Sequence, residues 1–196
     1  MLECRRVILS SNSPRRRELL SAMCIEFTVD TGNSFEESVG EGIPFDEIPS
    51  LMSEGKSLGF HRPLEADELL ITADTMVILP PKGSKEGEIL GKPSGRADAI
   101  RMLKDLSGRE HHVVTAFTLR DSKHMKTWSE TTVVHFRTLS DAEIEFYVDR
   151  FKPFDKAGAY AIQEWIGYVG IDSVDGSYTN VVGLPTQALY RALLSF

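Results

Sequence analysis

The sequence predicts an α/β fold, on three observations. Strand-like and helix-like segments alternate along nearly all of a 196-residue chain. The run LLITADTMVIL, residues 69–79, has the length and β-branched content of a buried strand. Residues 94–106 place Ala99, Ile100, Met102, Leu103 and Leu106 at helical spacing, and Gly108 follows where a C-terminal cap belongs.

Taken in order, residues 2–9 end in the apolar run Val7-Ile8-Leu9 and read as a short buried strand. Ser10-Ser11-Asn12-Ser13 breaks it. Ser13-Pro14 then opens a helix, Ser as N-cap and Pro at the first helical position, with Leu19, Leu20 and Met23 on its apolar face. Residues 25–29 read as a second strand and residues 30–49 as a long loop. A short helix of poor periodicity is expected near 50–59. After the strand at 69–79, a turn-rich insertion over 80–87 leads to Ile89-Leu90, and the helix at 94–106 follows. Residues 111–119 and 127–136 alternate as two strands around the polar turn Asp121-Ser122-Lys123. Ser140-Asp141-Ala142-Glu143 is a capping box that starts a helix to about Arg150. Residues 154–160 read as a loop or turn, 168–174 as a strand, and 185–194 as a terminal helix with Leu189 and Leu193 on one face. No internal repeat appears, and no stretch is rich enough in linker residues to mark a domain boundary.

Composition narrows the function classes. Hydrophobic residues at 41% and charged residues at 26% are ordinary for a soluble globular chain. No apolar run approaches the roughly 18 residues that a membrane helix needs, and Val7-Ile8-Leu9 is too short for a signal peptide. A cytoplasmic protein is expected. The 22 Lys and Arg against 29 Asp and Glu leave a net charge of −7. That disfavours sequence-independent duplex binding, which rests on a broad basic surface. It leaves room for a small anion held by a few local cations. Cys4 and Cys24 make neither a disulfide framework nor a zinc motif and read as two reduced thiols.

Several constellations point to chemistry. Ser11-Asn12-Ser13-Pro14-Arg15-Arg16-Arg17 lies between a strand and a helix, where unpaired N–H groups and the helix dipole suit an anion. The hydroxyls of Ser11 and Ser13 add donors, and arginine adds a planar fork that matches phosphate oxygens. The plainer reading is a capped helix with a solvated basic first turn, but basic residues there oppose the dipole. Thr72-Ala73-Asp74-Thr75 sets a carboxylate inside an apolar strand, where it must meet a cation, a metal or water. Leu90-Gly91-Lys92-Pro93 puts a lysine on a constrained turn, and Phe154 to Tyr160 reads FDKAGAY; each alone fits an ordinary turn. Glu36-Glu37 reads by itself as a solvated loop pair. Trp165 and Tyr168 read as core or cleft wall, and His111 and His112 as structural.

Together these segments resemble the Maf family of nucleoside triphosphate pyrophosphatases. The likeness runs in order through SNSPRR (11–16), ADT (73–75), LGKP (90–93), SGREH (107–111), DKAGAY (155–160), Ile162-Gln163 and VGLP (182–185). The resemblance implies a fold shared with inosine triphosphate pyrophosphatases: an elongated mixed β-sheet flanked by helices, forming one domain over 1–196 with two lobes and a central cleft. It implies hydrolysis of a nucleoside triphosphate to the monophosphate and pyrophosphate with a divalent cation, Mg²⁺ or Mn²⁺, and it makes a homodimer plausible. Carried over by position, the proton-accepting aspartate falls on Asp74. The residues that set substrate choice fall on Arg15, Thr75 and Gln163, with Arg16 on the phosphates. The basic site residues fall on Lys92 and Lys56, and the acidic metal-site residue on Glu37. Arg, Thr and Gln at the three specificity positions look like the branch that acts on dTTP and UTP.

The sequence departs from the family pattern in places. Ser10 stands where Ala is usual, Ala116 where Gly is common, and Glu164-Trp165 follows Gln163 where a Gly-rich turn is usual. The implied mechanism places the triphosphate on Arg15, Arg16, Lys92 and the helix N-terminus after Ser13, with the cation held by Glu37, Asp74 and the substrate. Asp74 takes a proton from the water that attacks the α-phosphorus. Two readings from other classes compete: a nucleotide-binding regulator of cell division with little turnover, and a nucleic-acid-binding protein suggested by Arg15-Arg16-Arg17. The intact set Asp74, Lys92 and Glu37 favours an enzyme over the first. The acidic balance opposes the second.

Overall fold

The computed structural model describes residues 5–36, 38, 42–81 and 87–196. Glu37, Cys4 and most of the insertion at 80–87 lie outside them. The element order is β1 (Arg6–Leu9), α1 (Pro14–Ala22), β2 (Phe27–Val29), α2 (Ile48–Leu58), β3 (Glu68–Leu79), β4 (Glu88–Leu90), α3 (Arg96–Leu106), β5 (Glu110–Arg120), β6 (Met125–Phe136), α4 (Asp141–Phe151), a 3₁₀ turn (Ala157–Ala159), α5 (Trp165–Gly170), β7 (Ile171–Asp175), α6 (Tyr178–Val182) and α7 (Thr186–Ser195). The expected α/β class and mixed sheet are both present. Among the described residues, seven strands form one sheet in the order β2-β1-β3-β5-β6-β7, with β4 on β3. β1 runs parallel to β2 and β3, while β3–β4 and β6–β7 are antiparallel. Flanked by strands on both edges, β1 can be a continuous apolar run, and Val7, Ile8 and Leu9 are all buried.

The chain folds as two compact units. The first comprises Met1–Thr75, Thr115–Glu130 and Gly183–Phe196; the second comprises Met76–Val114 and Thr131–Val182. The first gathers Leu9, Leu20, Ile71, Phe117 and, from α7, Leu189 and Leu193 into its core. The second packs Leu103 and Leu106 of α3 with Ile144, Tyr147 and Val148 of α4 and with Phe136 and Ile166. The predicted caps are made as read: Ser13 accepts from the Arg16 N–H, and Ser140 and Glu143 close a full capping box. No helix among the described residues is long and apolar enough to cross a membrane.

Three segments differ from the sequence reading. Residues 168–170 belong to the helix α5, and the strand starts only at Ile171. Tyr168 and Val169 carry β propensity but lie exposed on the helix, whose inward residue is the fully buried Ile166. The helix α6 is an addition. α2 begins earlier than read, at Ile48, and its weak periodicity has a cause: its buried face includes Ser53 and Ser57 beside Ile48 and Met52.

Candidate active site

In the first unit, the site starts from the register of β1. Leu9 lies opposite Ile71, and the Ser10 N–H donates to the Ile71 carbonyl at 2.9 Å. The chain therefore leaves β1 beside Thr72, Ala73 and Asp74. The Ser13 N–H donates to Ser11 Oγ at 3.2 Å, and Ser13 Oγ accepts from the Arg16 N–H at 3.4 Å, which fixes the first turn of α1. Arg15 is half-buried on that turn.

Arg16 turns inward from the same turn. Its Nε donates to the Gly183 carbonyl at 2.9 Å, Nη1 to the Ala73 carbonyl at 2.8 Å and to Ser11 Oγ at 3.3 Å, and Nη2 to Thr75 Oγ1 at 3.0 Å. Thr75 Oγ1 is also shared with Thr115 Oγ1 at 3.0 Å. One guanidinium thus ties together the loop before α1, the strand on both sides of Asp74, and the turn before α7. A fixed fork of donors suits several acceptors on different segments better than a point charge would. These partners also account for a basic group in the first turn of a helix. Gly183 sits at φ +127°, a backbone conformation that L side chains rarely adopt, so the accepting carbonyl depends on glycine. Sequence reading gave Gly183 no role, although it lies in the VGLP segment of the resemblance.

Asp74 and Thr75 are half-buried in β3, after six buried residues. The cation that the buried carboxylate calls for is Lys56, whose Nζ lies 2.5 Å from Asp74 Oδ1. The two side chains are only 21% and 15% exposed, so the pair is shielded from water. Its alignment rests on a chain of buried hydroxyls. Ser53 Oγ bonds to Thr118 Oγ1 at 2.8 Å and donates to the Thr72 carbonyl at 3.2 Å; Thr72 Oγ1 donates to the Ser53 carbonyl at 2.8 Å; Thr118 bonds on to Thr127 at 2.8 Å. Ser53 lies one helical turn before Lys56, and Thr72 lies two strand residues before Asp74. Both partners are thereby fixed from behind. The signal for Ser53 was present in the sequence: a serine on the apolar face of a helix, and threonines in apolar strands that need partners. Asn33 Nδ2 donates to the Lys56 carbonyl at 2.6 Å, which holds this part of the long loop against α2.

In the second unit, Lys92 is exposed on the turn after β4, and that turn is tied to the DKAGAY segment by a Gly158 N–H to Gly91 carbonyl bond of 3.1 Å. Gln163 is half-buried, and its Oε1 is a buried atom with no hydrogen-bond partner among the described residues. Both oxygens of Glu164 are engaged: Tyr147 Oη donates to Oε2 at 2.5 Å, and Lys156 Nζ lies 3.2 Å from Oε1. Trp165 packs edge-on against Phe146, ring centroids 5.0 Å apart, which makes it a wall of this core. His111 is fully buried 2.7 Å from Tyr160 Oη, and burial pulls its pKa down to about 3. It is a neutral structural histidine, as the sequence suggested. Cys24 is a free exposed thiol.

Among the described residues, no group of three or more carboxylate, histidine or cysteine side chains gathers as a metal site. A Mg²⁺ held mainly by substrate phosphates and water needs only one or two carboxylates from the protein, and Asp74 can supply one. The donor chemistry is therefore compatible with such an ion.

Comparison with known proteins places this geometry in context. The family model described as Maf-like protein matches residues 6–196. A dTTP/UTP pyrophosphatase of Bacteroides fragilis (strain ATCC 25285) is 44% identical over 188 residues, covering 96% of this chain and 94% of the relative. The protein of the same description from Phocaeicola vulgatus is 44% identical and covers 98% and 96%. That from Porphyromonas gingivalis (strain W83) is 42% identical and covers 97% and 94%. Among solved structures, a HAM1 protein from Coxiella burnetii aligns over 98% of this chain and 100% of its own at 13% identity, with a TM-score of 0.48.

Proposed function

The chain belongs to the Maf family, and on that premise we propose that it hydrolyses dTTP and UTP to the nucleoside monophosphate and pyrophosphate. The observation that carries the reading is the half-buried Asp74 carboxylate, aligned by Lys56 at 2.5 Å and set beside the N-terminus of α1. A shielded carboxylate next to a helix N-terminus and local cations suits attack by water on an anionic substrate. The near-full-length likeness to dTTP/UTP pyrophosphatases supports the choice of substrate.

In this reading Asp74 takes the proton of a water molecule as its oxygen attacks the α-phosphorus, and pyrophosphate departs with the electron pair of the broken P–O bond. Arg15, Lys92 and the backbone N–H groups after Ser13 bind phosphate oxygens. Arg16 shares that role and also holds Thr75 and the Ala73 carbonyl in place. Lys56 orients the Asp74 carboxylate. Asp74 and Glu37 would hold a divalent cation, Mg²⁺ or Mn²⁺, which when bound would neutralise charge on the phosphates. Gln163 selects the base. A buried acceptor without a partner suits the N3–H of uracil or thymine, which cytosine lacks.

The test is pyrophosphate release from dTTP, UTP, CTP, dATP and GTP by the purified protein, with products separated to distinguish monophosphate from diphosphate. Highest kcat/KM on dTTP and UTP, with monophosphate as product, is expected. Diphosphate and inorganic phosphate as products, or no turnover on any triphosphate, would rule the reading out.

A further inference from the structure

The turn that carries Gln163 is clamped by a buried residue that no functional reading has used. Tyr147 lies on α4, fully buried, with its ring stacked on Phe151 at a centroid distance of 5.1 Å. Its hydroxyl makes two bonds to a short stretch of chain. It accepts from the Ala161 N–H at 3.2 Å and donates to Glu164 Oε2 at 2.5 Å. Ala161 and Glu164 are the residues on either side of Ile162-Gln163. The same pair is joined directly by the Glu164 N–H to Ala161 carbonyl bond of 3.0 Å.

The rest of the surroundings tightens this turn. Lys156, whose side chain is 11% exposed, holds the other oxygen of Glu164 and also Asp155. Glu164 then leads α5, its carbonyl accepting from the N–H groups of Gly167 and Tyr168. A Cβ on Gly167 would collide with the Ile162 carbonyl and Cα, so that glycine lets the turn and the first turn of α5 close on each other. Against this fixed backbone, the Gln163 Oε1 is left buried and unpartnered. A buried unpaired polar atom is costly and calls for an explanation, such as a functional role, a water or an ion; Gln163 Oε1 is one of five such side-chain atoms among the described residues, and it lies on a residue of the proposed site. The arrangement therefore spends its internal hydrogen bonds on placing Gln163 and none on its Oε1.

We propose that Tyr147 is a positioning residue for base selection: its buried hydroxyl fixes both ends of the Ile162-Gln163 turn, through the Ala161 N–H and the Glu164 carboxylate, and so holds the Gln163 acceptor at one place. The inference rests on the reading of Gln163 as the base-selecting residue. Glu164 is the second member of the device, and Lys156 its counter-charge. The departure Glu164-Trp165 from a Gly-rich turn then has a function, because a carboxylate tied to a buried tyrosine does by hydrogen bonding what a tight glycine turn does by backbone shape.

The test is the ratio of kcat/KM for UTP to that for CTP. Tyr147→Phe keeps the ring and removes the hydroxyl. It is expected to lower the ratio about tenfold while kcat on UTP stays within about threefold of the parent, as for loss of a buried hydrogen bond that acts at one remove. Glu164→Ala is expected to lower the ratio similarly, and it serves if Tyr147→Phe does not fold. Glu164→Gln keeps an acceptor for the tyrosine O–H and is expected to retain most of the ratio. In a Gln163→Ala background, Tyr147→Phe should have no further effect on it. A purely structural role would lower the melting temperature and leave the ratio unmoved; that result in both Tyr147→Phe and Glu164→Ala, or an undiminished effect without Gln163, overturns the proposal. If the parent protein itself fails to prefer UTP over CTP, base selection by Gln163 falls and the proposal falls with it. If Gln163→Ala abolishes the preference while Tyr147→Phe and Glu164→Ala preserve it, only the role of Tyr147 is lost.

Discussion

The surroundings of Asp74 and those of Gln163 solve opposite problems. Around Asp74, the charged side chains themselves are tied: Lys56 to the carboxylate, Arg16 to two carbonyls and two hydroxyls. Around Gln163, the backbone and the neighbouring Glu164 are tied, and the side-chain oxygen is not. The first arrangement keeps charge in a shielded place by balancing it, which is what a group that must take a proton beside polyphosphate requires. The second keeps one neutral acceptor in register, which is what telling one base edge from another requires. On the roles proposed for Asp74 and Gln163, reaction and recognition draw on different physics, and substitutions should separate them.

Asp74→Asn should give the largest effect. It retains shape and loses the proton acceptor, so turnover on every triphosphate should fall roughly 10²–10⁴-fold. Pyrophosphate release and a melting curve check this; a variant that keeps its turnover removes Asp74 as the base. Arg16→Lys comes next. A lysine cannot reach the same four acceptors, and the first unit should lose about 2–3 kcal/mol in urea denaturation. A stability left unchanged while KM rises for all triphosphates would remove the bracing role and leave Arg16 a phosphate ligand alone.

Gln163→Ala should act on the other region alone. The preference for dTTP and UTP over CTP should fall by about 1–3 kcal/mol, by analogy with base-edge contacts elsewhere, and kcat should change less. Equal losses on every triphosphate would erase the distinction between the two regions.

The smallest effect is on pH dependence. His111, in the second unit, has its pKa lowered by burial from 6.5 to about 3. Between those values the unfolded chain binds a proton that the folded chain refuses, so its stabilising contribution is complete above about pH 6.5 and is lost as pH falls. The slope is at most about 1.4 kcal/mol per pH unit. His111→Gln should flatten that slope in denaturation series from pH 7 to 5. Glu68 of the first unit, paired with Arg62, has its pKa lowered from 4.5 by that hydrogen-bonded arginine and titrates below this window. Hydrogen exchange should accordingly show the second unit loosening first at pH 5.

What could be read from the chain follows from what was local. The Ser13 cap, the capping box at Ser140 and the strand holding Asp74 are carried by adjacent residues, and all are present. Asp74 announced its need for a cation, but the cation that pairs with it is 18 residues away, and only the packing of α2 brings Lys56 to it. The bracing role of Arg16 went unread because two of its acceptors are backbone carbonyls, which leave no mark in a sequence. Tyr147 went unread, since a tyrosine hydroxyl has no periodicity of its own. α5 was misread because Tyr168 and Val169 favour strands, whereas Glu164 and the buried Ile166 decide the local backbone.

The bond from Arg16 to the Gly183 carbonyl spans 167 residues. On the ribosome, β1 and the first turn of α1 are made long before their partner turn and α7. Leu9 and Leu20 likewise wait for Leu189 and Leu193 to complete their core. The first unit cannot finish folding until translation has passed residue 183, so a polypeptide cut short before α7 holds Asp74 and Lys56 but lacks the brace beside them. Premature termination before α7 would thus yield an incomplete hydrolase.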